Sequence, residues 1–138
     1  MKKVAAVIGY GGMGKWHTEK MMRDMSERME LVGIYDIKEE RCELARENNV
    51  KAYESFEDVL ADSSVELIVC ATYNDCHKDI AIRAMKAGKN VISEKPVTMC
   101  SEDLAEMIKV SEETGKLFTV HQNRRWDNDY RIIKNITM

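Results

Sequence analysis

The stretch that most constrains the fold is KVAAVIGYGGMG, residues 3–14. After Lys3 it runs through small and β-branched apolar residues, as a strand buried on both faces does. Glycines at 9, 11 and 14 follow in G-x-G-x-x-G spacing, and a helical pattern begins at residue 14. Each glycine has a physical task. Gly9 permits the tight turn out of the strand, Gly11 lets backbone approach a diphosphate, and Gly14 lets the helix pack closely on the strand. Gly12 and Met13 complete the loop. A helix that opens here offers unpaired N–H groups and the positive end of its dipole to an anion. The loop therefore reads as a dinucleotide cradle.

The rest of the chain repeats the alternation. Strand candidates are residues 3–9, 31–36, 65–71, 89–93 and 116–120, with a short one at 50–53. Between them, helical spacing predicts helices over 14–29, 38–47, 76–87, 102–114 and 127–136, with a short helix capped by Ser55 running to Leu60. Asn74 or Asp75 is the expected cap of the helix over 76–87, and Ser101 that of the helix over 102–114. Gly88 and Gly115 are the expected stops. Met21, Met22, Met25 and Met29 read as a stripe of flexible core filler. Strand and helix in alternation with short turns predict an α/β fold: a doubly wound, mostly parallel sheet of Rossmann type, with helices on both faces.

Asp36 closes the second strand, 22 residues beyond Gly14. A carboxylate there can accept from both ribose hydroxyls of an adenosine and repels a 2′-phosphate, which predicts NAD as cofactor. Lys38 and Arg41 nearby keep NADP possible, and Asp36 can also cap the helix over 38–47. Composition excludes other classes. A net charge of −3 argues against nucleic acid, and no apolar run suits an export signal or a membrane span. Cys42, Cys70, Cys76 and Cys100 form no CxxC pair, so no metal site is expected. Thiols in a chain of this kind fit a reducing cytoplasm.

In a parallel sheet, ligands bind beyond the carboxyl ends of the strands. Three stretches fall there: Thr72, Tyr73, Asn74 and His77; then Glu94, Lys95 and Pro96, the one proline in the chain; then His121 through Trp126. The segments VIGYGGMGKWH, YNDCHKDIAIRAMKAGKNVISEKPV and VHQNRRWD together resemble the glucose–fructose oxidoreductase and inositol dehydrogenase family, Gfo/Idh/MocA. The resemblance spans nearly the whole chain. It implies that Lys95 contacts a substrate hydroxyl and assists proton transfer while hydride moves to or from the nicotinamide. Glu94 would position that lysine and the cofactor. Thr72, Asn74 and His77 would line the cofactor, and Asn123 would stand on its nicotinamide side. The resemblance also sets Arg125 and Trp126 at the cofactor site, in a segment similar to the one that enters a second domain. Pro96 narrows the Lys95 backbone and admits a cis bond. His17 matches the family's GxxH pattern and reads as a packing or hydrogen-bonding residue. His121 reads as a strand-end residue near the cofactor.

Family members are more than twice as long. Their second domain supplies substrate contacts, much of the oligomer interface, and an aspartate and histidine that complete the proton relay. The expectation is a dinucleotide-binding domain over 1–122, with 123–138 starting the connection to a substrate domain. The alternative is a non-catalytic dinucleotide-binding module. The implied partners are a sugar- or polyol-like substrate and further copies of the protein. An apolar face near Trp126, Tyr130, Ile132 and Ile133 is expected to be open and to promote self-association, unless the last ten or so residues are disordered.

Overall fold

The computed structural model describes residues 1–137. Its elements run β1 (Lys3–Ile8), α1 (Gly12–Arg23), β2 (Met29–Tyr35), α2 (Glu39–Glu47), α3 (Phe56–Ala61), β3 (Leu67–Cys70), α4 (His77–Lys86), β4 (Asn90–Ser93), α5 (Ser101–Thr114), β5 (Phe118–Val120) and α6 (Asn128–Thr137). One five-stranded sheet has the order β2-β1-β3-β4-β5, and every pairing is parallel.

Alternation along β1 feeds two cores. Ala5 and Val7 join Met21 of α1 with Cys42 and Ala45 of α2. Ala6 and Ile8 join Phe56 and Val59 of α3, Ile80 and Met85 of α4, and Met107 and Val110 of α5. Small residues at 5 and 6 let helices approach both faces of a strand whose residues 5–7 are fully buried. The doubly wound expectation holds.

The register positions the functional edge. Ile8 pairs with Tyr35 and Cys70, Cys70 with Ser93, and Ser93 with Val120. The residues that follow each strand, Gly9, Asp36, Ala71, Glu94 and His121, therefore leave the sheet along one line. The chain winds outward from β1 in one direction and from β3 in the other. The crevice between those two strand ends is the switch point where such sheets bind ligands.

Five local expectations differ from the structure. Helix α1 ends at Arg23, six residues early, because Met29 is drawn into β2 opposite Lys3. Of the methionine stripe, only Met21 is fully in the core, while Met22 and Met25 are exposed. Residues 50–53 make no strand: Ala52 forms an isolated bridge to Ile34, and the Tyr53 ring lies over Gly33, where a Cβ would come within 2.7 Å of it. Residues 74–76 form a 3-10 turn and α4 starts at His77, with no side-chain cap from Asn74 or Asp75. Helix α5 includes Ser101, and Cys100 stands at its cap position without a side-chain bond. Ser55 caps α3 as expected, accepting from the Asp58 N–H at 3.1 Å.

Helix α6 carries Ile132, Ile133 and Ile136 exposed, and Trp126 just before it is 80% exposed. Residues 128–137 are thus helical with an open apolar side. Met138 lies outside the described residues. No helix among the described residues is long and apolar enough to cross a membrane.

Candidate active site

The glycine loop is built by close contacts. Gly9 has φ +91°, and a Cβ on it would stand 2.5 Å from the Ala71 carbonyl oxygen, so the turn needs glycine on both counts. A Cβ on Gly14 would lie 1.8 Å from the Gly9 carbonyl oxygen. That contact seats the first turn of α1 against the end of β1. By contrast, a Cβ on Gly12 meets nothing within 4 Å. Gly11 precedes the helix in extended conformation, and no side chain caps it. The start of α1 thus has no side-chain cap, and there is room beside Gly12, which suits an anionic ligand.

Asp36 is buried beside this loop, and both its carboxylate oxygens accept hydrogen bonds. Its Oδ2 accepts the Tyr10 N–H at 2.7 Å and Arg41 Nη1 at 3.1 Å, and its Oδ1 accepts the Lys38 N–H at 2.9 Å. Asp36 therefore ties the glycine loop to the start of α2, as a cap does, and keeps lone-pair capacity on Oδ1. Arg41 crosses toward the loop, within 3.6 Å of where a Gly11 Cβ would stand. Gly9, Gly11, Asp36, Arg41, Thr72 and Tyr73 line a cleft of about 600 Å³. Both the uncapped helix and the cleft fit a dinucleotide.

The second half of the site follows β4. The Glu94 carboxylate is 6% exposed. Its Oε1 meets His17 Nε2 at 2.7 Å and His121 Nδ1 at 2.8 Å, while Oε2 accepts the Lys95 N–H at 3.3 Å. Trp16 leans against both imidazoles, with ring centroids at 5.1 and 5.6 Å. Lys95 is exposed, and the Lys95–Pro96 bond is cis. His77 is fully buried, its Nδ1 2.9 Å from the Pro96 carbonyl oxygen and its Nε2 3.3 Å from that of Thr72. With no exposed face, His77 stands behind the cleft and ties the loop after β3 to the loop after β4.

The structure thus gathers the glycines, Asp36 and Thr72 around one cleft, and Glu94 and Lys95 at the next strand end. Asn74 is exposed on the 3-10 turn outside the cleft lining. Asn123, Arg125 and Trp126 belong to a turn over 123–126 and line a groove beside β5 instead. Sequence reasoning gave His17 and His121 no joint role. They lie 77 and 27 residues from Glu94, and only the register of β4 against β5, with one turn of α1, brings them together. The ligating atoms of His17, Glu94 and His121 all lie within 4.8 Å of one another, a donor set that metals also use. Here both imidazoles direct those nitrogens at Glu94 Oε1.

Burial alone would raise the Glu94 carboxyl, but the N–H bonds from His17 and His121 outweigh it and hold the group below its ordinary range. Burial lowers the His17 imidazole, against the opposing pull of Glu94. A lowered histidine favours the neutral folded form. Its contribution to stability is present above the unfolded value of about 6.5 and is lost as pH falls below it. His17→Gln keeps an N–H for Glu94 and removes the titration. Between pH 7 and 5 the variant is expected to lose less stability than the parent chain, read from denaturant midpoints; equal losses would place the titration elsewhere.

The family profile of an oxidoreductase family with an NAD-binding Rossmann fold matches residues 3–122. The chain belongs to the Gfo/Idh/MocA family. Its fold superposes on an NAD-binding protein from Listeria innocua with a TM-score of 0.92 and 46% identity, over 99% of this chain and 40% of that one. A dehydrogenase from Chromobacterium violaceum, solved with NADH and UDP-GlcNAcA, gives a TM-score of 0.91 at 25% identity, over 97% of this chain and 39% of that one. Inositol 2-dehydrogenase of Salmonella typhimurium is 29% identical over 136 residues, which is 96% of this chain and 40% of that protein. The chain therefore spans about 40% of the length of such relatives. As a Gfo/Idh/MocA member it is an NAD(P)-binding Rossmann domain of the oxidoreductase type.

Proposed function

We propose that this domain is the NAD-preferring half of an oxidoreductase that moves hydride between the nicotinamide and a hydroxyl or carbonyl carbon of a sugar, inositol or related polyol. One observation carries the reading. The glycine loop, Asp36 and the Glu94–Lys95–Pro96 turn leave β1, β2 and β4 along a single edge of the sheet, with the cleft at its switch point. The α1 N-terminus holds the diphosphate, and Gly12 leaves room for it. Asp36 accepts an adenosine ribose hydroxyl through Oδ1, and its charge disfavours a 2′-phosphate. Thr72 and Asn74 flank the cofactor, and His77 braces the two loops that frame it. Lys95 presents its ammonium to the reacting oxygen, with Glu94 fixing its backbone. Asn123, Arg125 and Trp126 start, at residue 123, a connection to a substrate domain. The open apolar side of α6 supports cover by that domain or by a second copy. The inositol dehydrogenase among the relatives and the sugar nucleotide bound by the Chromobacterium protein support the substrate class.

Calorimetry tests the cofactor assignment. NAD⁺ is expected to bind more tightly than NADP⁺, by about tenfold or more for one lost charge repulsion of roughly 1.4 kcal/mol. Asp36→Ala should narrow that ratio. Tighter binding of NADP⁺ to the parent chain would hand the ribose pocket to Arg41 and Lys38 and remove the role given to Asp36.

A further inference from the structure

The Glu94 cluster has the donors of a metal site. Three side chains from three parts of the chain converge there: His17 from α1, Glu94 just past β4 and His121 just past β5. One nitrogen of each imidazole and one carboxylate oxygen lie within 4.8 Å of one another. The two nitrogens stand 2.7 and 2.8 Å from Glu94 Oε1. Bonds of about 2.0–2.2 Å from a zinc ion to such atoms hold neighbouring ligands roughly 3–3.5 Å apart. Side-chain shifts of about half an ångström therefore admit an ion in place of the hydrogen bonds.

The surroundings hold the donors ready. Lys95 N–H already occupies Glu94 Oε2, which leaves Oε1 for an ion. The two imidazoles pack on each other at 4.7 Å between centroids, and Trp16 leans on both. Donors locked by their neighbours lose little freedom when an ion arrives. A neutral imidazole carries its proton on either nitrogen, so each ring can give the ion a lone pair from the nitrogen that faces Glu94. The His17 side chain is 11% exposed and that of His121 22%, and His121 lines the groove beside β5. That groove gives an ion a way in and leaves a position for water.

We propose that His17, Glu94 and His121 form a site for one divalent ion of the zinc type, held by three protein ligands with a fourth position open to the groove beside β5. Two imidazoles with one carboxylate suit zinc and its d-block neighbours, whereas magnesium and calcium prefer shells of oxygen. None of the three residues lines the nucleotide cleft, so the ion's role is to clasp rather than to react. It joins α1 to the ends of β4 and β5 and, through Glu94, steadies the turn that carries Lys95. The inference stands on this cluster alone and does not depend on the oxidoreductase reading.

Metal titration of the 138-residue chain tests this. Zn²⁺ is expected to bind as one ion per chain by calorimetry and to raise the melting temperature, because an ion held only by the folded chain stabilises it. Mg²⁺ at the same concentration is expected to do neither. His17→Gln, His121→Gln and Glu94→Gln each keep a hydrogen-bonding side chain, and circular dichroism checks that they fold. Each is expected to weaken Zn²⁺ binding by more than the roughly 10 to 100-fold that loss of an outer-shell partner costs. The exposed thiol of Cys100 and the half-buried one of Cys76 stay in all three variants, so binding by cysteine would persist in them. Unchanged Zn²⁺ affinity in the variants, or equal affinity of the parent for Mg²⁺, overturns the proposal. Co²⁺ added to the parent gives a reading that needs no variant. It is expected to move the ring resonances of His17 and His121 far outside their ordinary range in the proton spectrum. His77, buried between the Pro96 and Thr72 carbonyls, should stay within it. Any result other than that pair of shifted histidines overturns the proposal.

Discussion

A Gly14→Ala chain is expected to lose nucleotide binding and a large part of its stability together. The new methyl group would sit 1.8 Å from the Gly9 carbonyl oxygen and 2.8 Å from its carbon, both backbone atoms at the end of β1. Backbone cannot swing aside as a side chain can, so either α1 lifts from the strand or the turn deforms. Overpacking of this kind costs about 3 kcal/mol or more. For a domain of this size, that lowers the melting temperature by roughly 10 °C. The lifted helix would carry its free N–H groups away from the cleft. Gly12→Ala is the matched control, because its Cβ meets no atom within 4 Å. That chain should melt with the parent and still bind less NAD⁺, since the methyl fills space assigned to the diphosphate. Scanning calorimetry with and without nucleotide reads both effects. An unshifted melting temperature for Gly14→Ala would remove the packing account of the loop.

How much of this was legible in the sequence depends on the range of each interaction. The strands of the sheet were readable because a doubly covered parallel strand is apolar throughout, as VAAVI and LIVC are. The glycine loop was readable because its constraints act within six residues. Element ends were less so. Helical spacing continues through Met25 and Met29, yet pairing of Met29 with Lys3 across the sheet overrides it. Tyr53 and Ala52 look like a strand, but they fold back to cover the edge of β2 at Gly33 and Ile34. The Glu94 cluster had a usable signal in a polar residue just past each of two neighbouring strands, plus a histidine three residues into the helix after Gly14. It went unread because neighbours in space depend on strand order, which no local pattern states. The resemblance set His77 beside the cofactor, and its burial between the Pro96 and Thr72 carbonyls is likewise a product of packing that no local pattern states.

Lys95→Met, in a protein where this domain is joined to a substrate domain, is expected to lose turnover by about 10² to 10⁴-fold, the range of a positioned proton-transfer group. NAD affinity should stay within about twofold, because the exposed ammonium makes none of the contacts that shape the nucleotide cleft. Methionine keeps the length and apolar stem of lysine, so lost packing cannot account for the change. The backbone at this position is held independently of the side chain. Glu94 Oε2 accepts the Lys95 N–H, and His77 lies against the Pro96 carbonyl. The loop should thus keep its shape, and the loss should fall on kcat more than on the cofactor's Kd. Glu94→Gln should act differently, since it disturbs the lysine backbone together with the bonds to His17 and His121, and its pH–rate profile should shift where that of Lys95→Met keeps its form. Unchanged turnover in Lys95→Met would take the lysine out of the chemistry.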